Sequence, residues 1–439
     1  MHLYLFSAVL VLFITHIDAT ENRITKSLLH LSSKHPRLQA ATQQLAGRIL
    51  ASKYASWKYP DPKLGVAWLN YPYKKDLRFL EDKTPMTGIE FRLTQAIPFP
   101  GRLTVQADIA DSEVRQSRLQ FALEKNKLAK KFLTLLLEIK SLLQITSLAR
   151  EFEQKMILTA DLATTKYSVG KGDLSDVSKA KLKRKAYTEK KVRFEGLLRS
   201  QKIAFSYFVP EEKQADNLLS ENVKFFADLQ KYLLLINTKV HNPSINIQKQ
   251  SLLVAIQKER GDTHSFSAKL ARYDYLPDFE VFAAYRKRAY IASDPVPGEN
   301  FMSAGVAMRI PLWSALANHH KVAAKQKAYR SSQYLVQDSL QSDSSLFEAA
   351  KVHFQTLQER IKIYKENLLV DAQESLESTR LAYETGKSDF DSFLQAWDTL
   401  YHLKAGIIRL QEERDKQLLL MAFISNEILP DYPVEKENK

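Results

Sequence analysis

The stretch Tyr383-Glu-Thr-Gly-Lys-Ser-Asp-Phe-Asp-Ser-Phe393 decides how this chain folds. A similar stretch, Tyr167-Ser-Val-Gly-Lys-Gly-Asp-Leu-Ser-Asp-Val177, lies upstream, and the glycines Gly170 and Gly386 are 216 residues apart. Each copy interrupts a long helical pattern. The glycine can adopt the positive φ that ends a helix, and the aspartate three residues later can cap the next one. Each stretch therefore predicts the tip of a helical hairpin in a tandem repeat.

The composition of the 439-residue chain limits its chemistry. It contains no cysteine, which excludes disulfides, thiol nucleophiles and thiolate metal sites. Its formal net charge is +14, which could suggest a nucleic-acid partner. However, the lysines and arginines are spread along helical segments and matched locally by glutamates, a pattern typical of solvated helix faces. We therefore expect no nucleic-acid partner.

The first nineteen residues predict a secretory signal peptide. An apolar run begins at Leu5, is too short to span a bilayer comfortably, and ends in the small-residue pattern Ile17-Asp-Ala19. The best later apolar segment, Phe132 to Ile145, contains two charged residues. We therefore expect an exported protein without a transmembrane helix, which can enter a membrane only as strands.

The two repeats each contain a helix, two strands, a very long helix, a tip and a returning helix. The segments 102–169 and 312–385 lack glycine and proline, so each can form one helix of roughly 100 Å. Residues 23–58 are expected to be helical with a helix start near His35-Pro36, and Asn242-Pro243 is expected to start a helix in the second repeat in the same way. The predicted organisation is a signal peptide at 1–19, a first repeat at 20–209 with strands at about 63–71 and 88–97, a polar connector with a short helix at 210–242, a second repeat at 243–427 with strands at about 276–286 and 301–310, and a polar tail at 428–439.

The second strand of each repeat alternates between apolar and polar residues. In the strand at 88–97 the polar side contains Glu90, Arg92 and Thr94, and in the strand at 301–310 it contains Ser303 and Arg309. Four strands cannot close a pore, and open edges cannot lie in lipid. Three chains would supply 12 strands, enough for an outer-membrane barrel whose polar lumen these side chains would line.

The chain resembles the TolC family of outer-membrane efflux proteins over nearly its whole length after the signal peptide. The motifs that carry the resemblance are the Asn242-Pro start, Leu276-Pro-Asp-Phe, Ile97-Pro, Ile310-Pro-Leu, and both Tyr-x-x-Gly tips. The segment Gln95-Ala-Ile-Pro-Phe-Pro-Gly-Arg-Leu103 is similar to the heavy-metal cation branch of that family.

The resemblance implies a fold, a location and partners. The fold is mainly α with a small β part: a homotrimer with a 12-stranded β-barrel in the outer membrane of a Gram-negative-type bacterium and a long α-barrel in the periplasm. It implies an export channel that contacts outer-membrane lipid, with metal cations as one candidate cargo. The partners are a periplasmic membrane-fusion adaptor and, through it, an inner-membrane pump of the RND or ABC type.

The resemblance also implies two functional regions. The tips would dock on the adaptor, and we assign to them Tyr167, Gly170, Lys171, Asp173, Tyr383, Gly386, Lys387 and Asp389. In this family an acidic residue six positions after the tip glycine lines a periplasmic gate, and another acid often follows three positions later. This chain has Asp176 and Lys179 in the first repeat, and Ser392 and Gln395 in the second. The acidic ring is therefore thinned, and we expect weak cation affinity there.

Other interpretations stay open at individual residues. The tip residues can be simple turn residues, and Arg92 or Arg309 could reach toward lipid headgroups instead of a lumen. His319-His320 could suggest a metal site, but adjacent helical residues chelate poorly, so surface histidines are favoured. The main alternative function is a soluble periplasmic coiled-coil adaptor or scaffold. No catalytic, cofactor or phosphate-binding motif appears in the sequence, so we do not expect an enzyme; metal ions, drugs and secreted proteins all remain candidate cargo.

Overall fold

The structure is a computed structural model that describes residues 23–73, 76, 80, 84, 86–209, 222–243, 245–292 and 295–429. The predicted signal peptide at 1–19, the first part of the connector at 210–221 and the tail from 430 lie outside the described residues. The helices are α1 (Arg23–Lys34), α2 (Pro36–Trp57), α3 (Arg102–Ser168), α4 (Leu174–Phe205), α5 (Asn222–Val240), α6 (Ile247–Gln250), α7 (Leu252–Tyr273), α8 (Leu312–Ile363), α9 (Leu369–Glu384) and α10 (Phe390–Ile424). The strands are β1 (Lys63–Leu69), β2 (Gly88–Ile97), β3 (Asp278–Arg288) and β4 (Phe301–Arg309).

The four strands form one antiparallel sheet in the order β1-β2-β3-β4. The two repeats meet in its centre, where Glu90 of β2 lies opposite Arg286 of β3. On the outer pairs, Gly65 lies opposite Arg92, and Ser303 lies opposite Ala284. The expected fold class, mainly α with a small antiparallel sheet, is confirmed.

The chain divides into two compact units, and each unit takes residues from both repeats. The first contains the described residues of Met1–Ala40, Ala122–Leu252 and Gln341–Lys439. The second contains those of Ala41–Phe121 and Leu253–Leu340, and it includes the whole sheet. The end of a repeat in the sequence is therefore not the boundary of a unit in space.

Two apolar clusters hold the first unit together. One is centred on Phe132, whose ring stacks on Phe205 at a centroid distance of 5.7 Å. The other is centred on Phe152, which is fully buried between α3, α4 and α10. Burying a phenylalanine side chain contributes about 1.5–3 kcal/mol, so these contacts, rather than helix propensity, hold the long hairpins in place.

The long helices differ in continuity. The predicted helix at 102–169 is one helix of 67 residues. The predicted helix at 312–385 contains a π-helical turn at Tyr364–Leu368 between α8 and α9. A glycine accompanies this turn: a Cβ at Gly406 of α10 would lie 3.1 Å from a ring carbon of Tyr364. A π-helical turn accommodates one extra residue without requiring glycine or proline. The absence of these two residues from the segment therefore does not reveal the turn.

The starts of the repeats also differ. Pro36 begins α2 as expected, because the first helical position needs no backbone N–H. The expectation that Asn242-Pro243 starts a helix is wrong. The Ile245 amide instead donates to the Asn242 carbonyl in a turn, and α6 begins only at Ile247.

Among the helices that the structure describes, α3 alone is long and apolar enough in one 18-residue window to cross a membrane by length and composition. In this structure 61% of that window is buried against the rest of the protein. The segment around Phe132 thus serves as the core of the first unit.

Candidate functional site

Both hairpin tips end their first helix with the same backbone geometry. Gly170 has a φ of 70° and Gly386 a φ of 78°. The Gly170 amide donates to the Tyr167 carbonyl at 3.0 Å, and the next amide, of Lys171, donates to the Lys166 carbonyl at 2.9 Å. The second tip repeats both bonds, at 3.1 Å and 2.7 Å. This pair of bonds around a left-handed residue is the Schellman motif, so the sequence repeat is also a repeat of conformation.

The helices that leave the two tips are capped differently. Asp389 accepts a hydrogen bond from the Ser392 amide at 3.0 Å, and hydrogen bonding to the side chain and the amide of Ser392 lowers the pKa of the Asp389 carboxyl group. Asp173 occupies the corresponding position before α4 without a side-chain capping bond. Ser392 is expected in the gate, and in the structure its backbone amide takes part in the cap of α10 at the second tip.

The two tyrosines assigned to the docking tips have different surroundings. The Tyr167 side chain is 47% exposed, whereas Tyr383 is 4% exposed and stacks on Phe393 at 5.8 Å. The Tyr383 hydroxyl donates to Asp176 at 3.2 Å, and burial, aided by this carboxylate, raises the pKa of Tyr383 to about 12. The Lys166 ammonium donates to the Tyr383 carbonyl and lies 4.2 Å from the centre of its ring. One tip is thus fastened to the other.

The gate region contains charged residues that the sequence did not single out. Lys179 does not pair with Asp176; its ammonium lies 2.6 Å from the carboxylate of Asp391, and this hydrogen bond raises the pKa of the lysine. One helical turn after Lys179, Lys183 donates a hydrogen bond to Asp398, which also accepts one from the Tyr187 hydroxyl at 2.9 Å. Carboxylates of the second repeat therefore lie beside the lysines of the first.

A signal for these pairs was present in the sequence. Lys179 corresponds to Gln395, and Asp391 lies one helical turn before that position. When one repeat is shifted by one helical turn relative to the other, Lys179 comes opposite Asp391. Comparing only the equivalent positions of the two repeats does not reveal this pair. Gln395 itself is exposed at the surface of α10.

One face of the sheet is polar. The register places Glu90, Arg92 and Thr94 of β2 on the same face as Ser303 and Arg309 of β4. Glu90 is 6% exposed because it lies beneath two arginines. Its carboxylate accepts from Arg92 at 2.9 and 3.0 Å and, from the neighbouring strand, from Arg286 at 2.8 Å.

The opposite face of the sheet is apolar and exposed. Trp68, Met302 and Val306 are 67%, 84% and 72% exposed. Six other large side chains on this face are exposed as well: Leu64, Val66, Phe91, Leu93, Tyr285 and Met308. A continuous apolar face of this kind marks a surface that another apolar phase or protein covers.

The structure places the two adjacent histidines near the start of α8. The rings of His319 and His320 lie 3.8 Å apart, and His319 Nδ1 lies 2.8 Å from the Leu316 carbonyl. Within the described part of the chain, no group of three histidine or carboxylate side chains is arranged to hold a metal ion.

Comparison with known proteins finds a partial match to one family model and a similarity in fold to several outer-membrane proteins. Residues 249–425 match the family model described as outer membrane efflux protein. The fold is similar to the outer membrane protein VceC from Vibrio cholerae, with 14% identity, a TM-score of 0.73, and coverage of 92% of this chain and 96% of that one. It is also similar to CusC (12% identity, TM-score 0.72, 92% of each chain) and to the CmeC outer membrane channel of Campylobacter jejuni (11%, 0.70, 93% and 86%). The comparison with curated proteins gave no match.

Proposed function

We propose that this chain, whose residues 249–425 match the model for outer membrane efflux proteins, forms as a trimer the outer-membrane duct of a tripartite efflux system. The duct is passive and carries solute from the periplasm to the exterior without catalytic groups or a cofactor. It contacts outer-membrane lipid with its strands and a periplasmic membrane-fusion adaptor with its helical hairpins. An inner-membrane pump of the RND or ABC type supplies the cargo through that adaptor.

The observation that carries this proposal is the two-sided sheet. One face exposes large apolar side chains, and the other presents charged and small polar ones. Strands that alternate in this way suit a barrel wall with lipid outside and water inside. Trp68 near the loop end and Trp313 just beyond the other end are 67% and 84% exposed, as expected of side chains at the two membrane interfaces.

The sheet edges support a closed oligomer. β1 and β4 are the outer strands, and their outward backbone groups have no partner within the sheet. Such edges cannot remain open in lipid. Because the four strands are antiparallel, β4 of one copy runs antiparallel to β1 of the next when they pair, and three copies close a 12-stranded barrel.

The tips are proposed as the adaptor-docking surface. Lys171 and Lys387 occupy the same position after the two tip glycines, and both are exposed. The gate is proposed to lie near Asp176 and Lys179, where the first and second repeats are tied together. The similarity of Gln95–Leu103 to the heavy-metal branch makes metal cations one candidate cargo.

Cysteine cross-linking tests the closed trimer, because the chain has no cysteine of its own. Val66 of β1 and Val306 of β4 both lie on the exposed apolar face. We expect Val66→Cys combined with Val306→Cys, or with Met302→Cys to allow for register, to give covalent dimers and trimers in outer-membrane fractions after mild oxidation.

The matched control combines Val66→Cys with Ala283→Cys. Ala283 lies on the same face but on β3, which is an inner strand and has both neighbours within its own sheet. This pair should not cross-link between chains. A monomer in mild detergent, or protein found only in the soluble periplasm, would contradict the duct and favour the coiled-coil adaptor or scaffold.

A further inference from the structure

The arginines on the polar face of the sheet cover the carboxylate that they bind. The side chains of Arg92 and Arg286 are 46% and 24% exposed, whereas that of Glu90 is 8% exposed. Two guanidinium groups share this one carboxylate, so the triad has a net positive charge. The positive groups, not the negative one, are presented to the solvent on this face.

The other charged side chains on the polar face leave its net charge positive. By strand register, its ionisable side chains are five basic and three acidic: Lys63, Arg92, Arg286, Arg288 and Arg309 against Glu90, Asp278 and Glu280. Of the acids, Asp278 also pairs with Arg102 at 3.2 Å. On the strands' apolar face the one charged residue is Lys287.

We infer that the arginine cluster of Arg92 and Arg286 makes the barrel passage selective for anions, so that anionic solutes pass through it more readily than metal cations. This inference rests on the proposed trimeric duct, in which the polar face lines the passage. Three copies would place six of these arginines around one aqueous path.

The size of the effect follows from charge and distance. One unit charge roughly 10 Å from an ion in water changes the local concentration of a monovalent ion about twofold. The low-dielectric wall of a barrel focuses the field further, and added salt weakens it. Six arginines, partly neutralised by three carboxylates, therefore give a several-fold preference for anions at low salt.

Planar bilayer recording on the purified full-length trimer tests the inference. In a gradient of KCl, the reversal potential of the unmodified channel should report a chloride permeability several-fold above that of potassium. Arg92→Gln with Arg286→Gln should lower this ratio to about one or below. Citrate, added as a multivalent anion, should reduce the chloride current of the unmodified channel more than that of the double variant.

Lys287→Gln is the matched control. It removes one positive charge from β3, one residue beyond Arg286, but on the opposite face of the sheet. Its permeability ratio should equal that of the unmodified protein. If the double variant does not insert, Arg92→Gln alone, at the more exposed arginine, should still lower the ratio measurably.

The outcomes separate this inference from the proposed function. A channel that conducts but prefers potassium, or whose ratio is unchanged in the arginine variants, overturns the inference and leaves the duct intact. A ratio that falls equally in Lys287→Gln also overturns it, because the charge would then act from either face. Purified trimers that never conduct contradict the duct itself, and the inference falls with it.

Discussion

Valine at a tip glycine should open the hairpin tip locally while leaving the rest of the helices unchanged. A Cβ built on Gly170 or Gly386 meets nothing within 4 Å, so the substitution does not clash with a neighbour. The penalty comes from the backbone, because the φ values of 70° and 78° are ones that β-branched residues rarely adopt.

The magnitude can be worked out from this geometry. A left-handed conformation costs a non-glycine residue about 1–2 kcal/mol. Replacing glycine also restricts the unfolded chain, which returns about 0.4–1 kcal/mol. The net cost is about 1 kcal/mol, which corresponds to roughly fivefold more frequent opening of the tip.

Hydrogen exchange followed by mass spectrometry measures this opening. In Gly170→Val, the peptide that contains the Gly170 and Lys171 amides should exchange about fivefold faster, since those amides make the Schellman bonds. Export by the host's efflux system should be lost in Gly170→Val or Gly386→Val, while trimers remain in the membrane.

Asparagine is the control, because it tolerates the left-handed conformation better than other residues with a side chain. Gly170→Asn should exchange nearly as slowly as the unmodified tip and retain export. If valine and asparagine behaved alike, or if exchange rose equally along the whole of α4, positive φ would not be what glycine contributes to the tip.

Three further predictions follow from other parts of the first unit. Introducing Ser392→Asp with Gln395→Asp should raise cation selectivity and block by trivalent cations in planar bilayers; strong block of the unmodified channel, unchanged by both substitutions, would mean that other residues line the gate. Burial raises the pKa of Asp343, which accepts a hydrogen bond from the Ser251 hydroxyl. The native state then binds more protons than the unfolded chain, so the free energy of unfolding falls as pH rises through the raised pKa. Asp343→Asn should therefore melt at a higher temperature than the unmodified protein at neutral pH, and this gain should disappear in acid. A gain that is independent of pH would contradict this. Phe152→Ala should cost about 3–5 kcal/mol and lower the thermal midpoint, because the ring is fully buried; an unchanged midpoint would show that the cluster around it does not limit stability.

The sequence predicted the parts of this fold whose signals are local or repeated. The tips were visible because glycine, lysine and aspartate recur at the same spacing in both repeats, and the positive φ of Gly170 and Gly386 follows from that residue type. The faces of the strands are predictable because side chains alternate with a period of two. The sequence therefore places Arg92 and Arg309 on the polar sides of their strands, and the register puts both on one face of the sheet.

The contacts between repeats were not predictable in the same way. Arg286 is the last residue of the predicted strand at about 276–286, and only the pairing of β2 with β3 places it against Glu90. Asp391 likewise pairs with Lys179 only because α10 and α4 lie side by side with a shift of one turn. Such pairs depend on which helices or strands become neighbours, which a single sequence does not state.

The two tips of one chain are alike in backbone but not in surface. Tyr383 is buried against Phe393 and bound through its hydroxyl to the first repeat, whereas Tyr167 remains 47% exposed. In a trimer, six tips would therefore form two alternating sets of three. A partner that contacts only what the tips share, the exposed lysines after each glycine, would find six equivalent sites, while a partner that needs the exposed tyrosine would find three. Because the Tyr383 hydroxyl donates to Asp176, a conformational change at the gate that moves Asp176 alters the three tips that contain Tyr383. The three tips that contain Tyr167 lack this bond and are not altered through it.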